Sequence, residues 1–77
     1  ENKIMTLKVC QEMFMQILQY TTEMMKDGIT VKEIEKVLED GRKEIEEAKK
    51  ETNLQNIIKT VEEELRQAEQ RIKMELS

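Results

Sequence analysis

Apolar residues recur three and four positions apart along almost the whole chain, the spacing of one face of an α-helix. Three helical segments are expected, over about residues 2–26, 31–51 and 53–76. On a wheel of 100° per residue, Leu7, Val9, Cys10, Met13, Phe14, Ile17, Leu18, Tyr20, Met24 and Met25 gather on one half of the first segment. Lys8, Gln11, Glu12, Gln16, Gln19, Thr22, Glu23 and Lys26 fill the other half, where Ile4, Met5 and Met15 add further apolar surface. The apolar sector is about 180° wide, broader than the stripe of a one-sided surface helix. Such a helix is flanked by two or more neighbours.

The first segment carries its own stop signal. Lys26 suits the negative end of the helix dipole, and Gly28 can take the left-handed conformation that closes a helix. Thr30-Val31-Lys32-Glu33 then reads as a capping box opening the next helix. A sharp turn is therefore expected at Asp27–Ile29.

In the second segment Val31, Ile34, Leu38, Ile45 and Ala48 make a narrow heptad seam with Val37 alongside. Gly41 occupies the seam between Leu38 and Ile45. It reads as a small residue that lets another helix come close, or as a break after Asp40; the unbroken phase favours a continuous helix. Exposed pairs four apart, Glu39/Lys43 and Glu46/Lys50, are expected to lace its outer face.

In the third segment Leu54, Ile58, Val61, Leu65, Ala68, Ile72 and Leu76 keep a heptad, widened by Ile57. Its phase does not continue that of the second helix, and Thr52-Asn53-Leu54-Gln55 reads as a weaker capping box. Both point to a hairpin near Glu51–Asn53. No Gly or Pro supports that turn, so one long helix from Thr30 onward is the alternative.

Composition sharpens the class. The 77 residues include no Pro or His, and the only aromatic residues are Phe14 and Tyr20, too few for a β-fold of this size. The expected fold is all-α: a single domain over residues 1–77, a three-helix bundle or a helical hairpin with an extra amphipathic helix. Packing is expected to be coiled-coil-like and the chain to be dimeric.

Charge narrows function. Thirteen basic residues stand against 17 acidic ones, and Lys49–Lys50 is flanked by acids. This argues against a dedicated nucleic-acid or anionic-membrane surface. The longest apolar run, Met13-Phe14-Met15, is far too short to span a bilayer, and no signal peptide is legible. A sequence that starts at Glu1 without an initiator Met reads as a trimmed chain or a piece of a longer protein. Cys10 is the lone cysteine and reads as a small core hydrophobe in a cytoplasmic or otherwise intracellular protein.

The search for chemistry is nearly empty. Without His there is no imidazole base or imidazole metal ligand, and Cys10 has no sequence-adjacent partner. The clusters Glu44/Glu46/Glu47 and Glu62/Glu63/Glu64 read as solvated faces. No catalytic, cofactor or metal site is expected, and no enzyme. The distinctive feature is that Met5, Met13, Met15, Met24 and Met25, five of the six Met, fall in the first segment. Met suits both irregular cores and adaptable binding surfaces.

The expected function is a non-catalytic protein–protein interaction or oligomerisation module, a small regulatory adaptor. Its partner is a second copy or another protein, met by Met13, Phe14, Ile17, Leu18, Tyr20, Met24 and Met25. The alternative is a small regulator that contacts nucleic acid through the last helix, where Lys59, Arg66 and Lys73 recur every seven residues, or through a DNA-binding partner.

Overall fold

A computed structural model describes residues 3–76, with every side chain among them except those of Thr52 and Leu76. Asn2 as a helix start, the Thr52 side-chain cap and the place of Leu76 in the seam lie outside the described residues. The fold is a three-helix bundle: α1 (Lys3–Lys26), α2 (Val31–Ala48) and α3 (Gln55–Leu76), with a 3₁₀ turn at Thr52–Leu54 before α3. There is no strand among the described residues.

Both connections are short, so consecutive helices run antiparallel. Lys3 at the start of α1 meets Glu47 at the end of α2, and Gln11 and Thr22 of α1 meet Glu64 and Arg71 of α3 in the same order. The path is up, down, up. α3 packs against both other helices, and α1 and α2 share the smallest contact of the three pairs.

The first turn forms as its residues dictate. Gly28 has φ 98°, where a side chain is strained. The Ile29 N–H donates to the Met24 carbonyl at 3.0 Å and the Gly28 N–H to the Met25 carbonyl at 3.1 Å, the paired bonds of a Schellman motif. Ile29 is thereby turned back towards Met24. The capping box follows at once: the Thr30 N–H donates to Glu33 Oε1 at 2.8 Å, and the Glu33 N–H to Thr30 Oγ1 at 3.2 Å.

The second turn needs neither Gly nor Pro. α2 ends at Ala48, Lys49 caps it with helical dihedrals, and Glu51 is extended at φ −97°, ψ 113°. One extended residue between two helical stretches reverses the chain, which rules out one long helix from Thr30. The helix over 31–51 stops three residues short, and the 3₁₀ turn precedes a third helix that starts at Gln55.

One core joins all three helices. It contains Leu7, Phe14 and Ile17 of α1, Ile34, Leu38, Ile45 and Ala48 of α2, and Ile58, Val61, Leu65, Ala68 and Ile72 of α3. Cys10 lies in it too, 8% exposed, as a small hydrophobe. α2 is continuous through Gly41, and a Cβ there would run into the Phe14 ring. The glycine admits the largest core side chain.

Two features of α1 depart from the wheel. Val9 and Tyr20 lie on its apolar half yet are 55% and 52% exposed, because that half is wider than two neighbouring helices cover. Thr21 is completely buried, and its hydroxyl donates back to the Ile17 carbonyl. Such back-bonding bends helices, and the backbone leaves helical geometry next door, at Tyr20 (φ −123°, ψ 22°).

The ion pairs depart from expectation as well. Among the described residues neither Glu39/Lys43 nor Glu46/Lys50 pairs. Instead Arg42 reaches Glu69, and Lys49 reaches Glu62 at 2.6 Å and Glu46 at 3.3 Å. Glu64 is half-buried against α1, where it accepts from Gln11 Nε2 at 3.1 Å, so the Glu62/Glu63/Glu64 cluster is not wholly a solvated face.

A Cβ on Gly28 would meet nothing within 4 Å, so Gly28→Ala tests backbone strain alone. It is expected to cost about 1 kcal/mol, read as a lower denaturant midpoint at unchanged slope. An unchanged midpoint would mean the left-handed turn is not required.

Candidate functional site

The small α1–α2 contact leaves a groove between these helices. The Schellman turn places Met24 and Ile29 at one end. Met13, Gln16 and Ile17 form the α1 wall, and Glu33, Ile34 and Val37 the α2 wall. Met13 and Val37 continue into a second section with Cys10, the edge of Phe14, Asp40, Gly41 and Glu44. The sections enclose about 290 and 140 Å³. Ligand pockets typically hold about 300–1,000 Å³. This groove is shallower and open along its length, a shape for protruding side chains more than for an enclosed cofactor.

Its electrostatics are one-sided. Glu33, Asp40 and Glu44 stand along the α2 rim, and no lysine or arginine lines either section among the described residues. Asp40 and Glu44 form no ion pair among the described residues. The field of Glu44 reaches the groove floor: burial first, and then the Glu44 carboxylate, push the Cys10 thiol above its ordinary pKa.

The α2–α3 side differs. It has wider depressions, about 490 and 420 Å³, walled mainly by charges of both signs. Arg42, Lys59 and Arg66 alternate there with Glu46, Glu62, Glu63 and Glu69. The Glu62 carboxylate, and then that of Glu46, raise the pKa of Lys49, and the Arg66 guanidinium holds the Glu63 carboxyl below its usual value. Lys59, Arg66 and Lys73 thus line these depressions among carboxylates and not on a continuous basic stripe.

The seven expected contact residues divide. Met13, Ile17 and Met24 line the first groove section, and Met13 and Phe14 the second. Phe14 and Ile17, however, are 1% and 4% exposed. Their surface is spent on the intramolecular core, so they support the groove from beneath and are not free anchors. Leu18 and Met25 are half-buried and Tyr20 is exposed, all outside the groove lining. Sequence reasoning missed Ile29 and Val37. Their signals were a branched apolar residue directly after Gly28, and one standing beside the α2 seam instead of within it.

Among the described residues no group of three His, Cys, Asp or Glu side chains could hold a metal ion, and no helix is long and apolar enough to cross a membrane. Comparison with protein-family models, curated proteins and solved structures finds no match to this chain.

Cys10 reports on the groove. With its pKa raised in the fold, the protonated thiol contributes stability that is complete below the unfolded thiol's pKa and is lost as pH rises through the folded value. Alkylation of the folded chain is expected to accelerate at higher pH than alkylation of the denatured chain. Glu44→Gln should move that profile towards lower pH. Coincident profiles for folded, denatured and variant chains would contradict this placement.

Proposed function

We propose that the chain is a non-catalytic protein–protein interaction module, a small adaptor whose α1–α2 groove receives an apolar helix or ridge from its partner. One observation carries the reading. Among the described residues, six of the seven exposed large apolar side chains lie on α1 and the adjoining turn (Met5, Val9, Met13, Met15, Tyr20 and Ile29); Met74, near the end of α3, is the seventh, and α2 has none. Scattered apolar residues on a surface mean little, but several along one helix beside an apolar groove mark an interaction site. The Met side chains suit it, being able to adapt to the shape they meet.

Self-association as a homodimer is the second reading. It is favoured by Met5, Val9, Met13 and Tyr20, which fall within one sector of α1, as a two-fold contact requires. The heptad seams of α2 and α3 are taken to interlock in the coiled-coil manner within each copy, leaving α1 to make the contact. A free buried thiol fits an intracellular setting. Direct binding of nucleic acid has less support, because Lys59 and Arg66 stand among carboxylates that repel phosphate.

The test places a photo-crosslinking amino acid at Met13, or at Glu63 on the far surface as control, in the chain expressed in its native cells. A discrete adduct is expected from position 13 and none from position 63. An adduct of twice the chain's mass selects the homodimer. Equal labelling at both positions, or none at position 13 under conditions where the chain is folded, would contradict an interaction site on this face.

A further inference from the structure

Resting on the reading of the α1–α2 groove as a protein-binding site, we propose that its occupant is a basic amphipathic helix: an apolar stripe flanked by Lys or Arg, laid along the groove as a fourth helix. The groove's dimensions and its charge argue for this occupant together.

From Cys10 to Met24 the α1 wall runs for four helical turns, about 21 Å at 1.5 Å per residue. A helix in a groove sets anchors at i, i+3 or i+4, and i+7, a span of about 10.5 Å that this wall accommodates with room for a further turn at either end. The lining offers Met13, Met24, Ile29 and Val37 to such anchors, with the buried Ile17 and Ile34 beneath them. The open side of the bundle lies between the two helices that touch each other least, where a fourth helix would complete a four-helix arrangement.

The rim selects the flanks. Glu33, Val37, Asp40 and Glu44 succeed one another at steps of four, three and four, one edge of α2. Three of these four positions are acidic. An occupant with acidic flanks would bring like charges together, and one with basic flanks would pair them. A second copy docked by the same groove meets the first problem. In a two-fold contact the same patch is brought by both copies, so each would add Glu33, Asp40 and Glu44 to the interface with no lysine or arginine of the groove lining to offset them. Charge complementarity therefore favours a different, basic chain. Its contribution is expected mainly in selectivity and association rate.

The experiment uses the full chain and two synthetic helices with one identical leucine-rich face, flanked in one by lysines and in the other by glutamates. Binding is measured by titration calorimetry at low and high salt, with the oligomeric state of the chain followed by sedimentation. The lysine-flanked helix is expected to bind one to one, about tenfold or more tighter than its glutamate counterpart, and to weaken as salt rises. The double variant Asp40→Lys/Glu44→Lys, checked for folding by circular dichroism, should lose or invert that preference. The comparison on the unaltered chain stands whether or not the variant folds. Equal affinity for both helices, a preference for the glutamate helix, binding of neither, or a chain already paired with itself through this groove would each overturn the basic occupant. The interaction-site reading is judged separately by crosslinking from position 13, so a groove that binds without regard to charge would sink this inference alone.

Discussion

The Phe14 ring over Gly41 sets how α1 lies on α2. Phe14 is the largest of the fully buried side chains, and it can be buried there only because the facing helix has no side chain at that point. Gly41 carries a helix-propensity cost of about 1 kcal/mol relative to Ala. Burial of an aromatic ring outweighs that, since truncating a core Phe to Ala typically costs about 3–5 kcal/mol. The contact places α1 and α2 together at one level of the bundle. The groove runs along this contact: its second section is lined by Phe14 and Gly41 themselves, and its first extends to Met24 and Ile29.

Charge then distinguishes the two sides of α2. Towards α3 it offers Arg42 and Lys49, which meet Glu69 and Glu62 across the interface. Pairs this exposed add little to stability and serve mainly to set registry. Towards α1 it offers Glu33, Asp40 and Glu44, and the only ion pair from α1 to α2 among the described residues is Lys3 with Glu47, at the far end. Stability comes from the apolar core, where Leu65, Ile58 and Ile45 are almost fully withdrawn from water. The acidic edge leaves charge unpaired beside apolar surface. That unpaired charge is what the proposed basic occupant would meet.

Much of this fold was legible from spacing. The Gly28 stop and the Thr30/Glu33 box formed as read, because each depends on local bonds that residue identity dictates. The phase slip between the α2 and α3 seams correctly signalled a reversal, although the turn lies at Lys49–Glu51 and uses one extended residue that no Gly or Pro announced. The site was less legible. A wheel shows how wide the apolar sector of α1 is but not how much of it the neighbouring helices cover, so Phe14 and Ile17 could not be told from Met13 by periodicity. The acidic edge of α2 was equally hidden. Glu33, Asp40 and Glu44 look like solvated residues of a charged helix until α1 is set beside them. Thr21 was missed for another reason: its polarity is spent on the Ile17 carbonyl, which leaves its methyl to the core.

The seating of Phe14 over Gly41 is tested most directly by a double-mutant cycle between Gly41→Ala and Phe14→Leu, read from denaturant melts at two protein concentrations. In the unaltered chain Gly41→Ala adds a methyl where the ring sits, and overpacking of about 1–3 kcal/mol should exceed the helix-propensity gain. In the Phe14→Leu background the ring is gone, and the same substitution should be neutral or stabilising. The coupling should not depend on protein concentration, because both residues belong to one chain. If Gly41→Ala has the same effect in both backgrounds, the two residues do not touch; if the coupling fades on dilution, they touch between chains and the groove between α1 and α2 is not where this structure puts it.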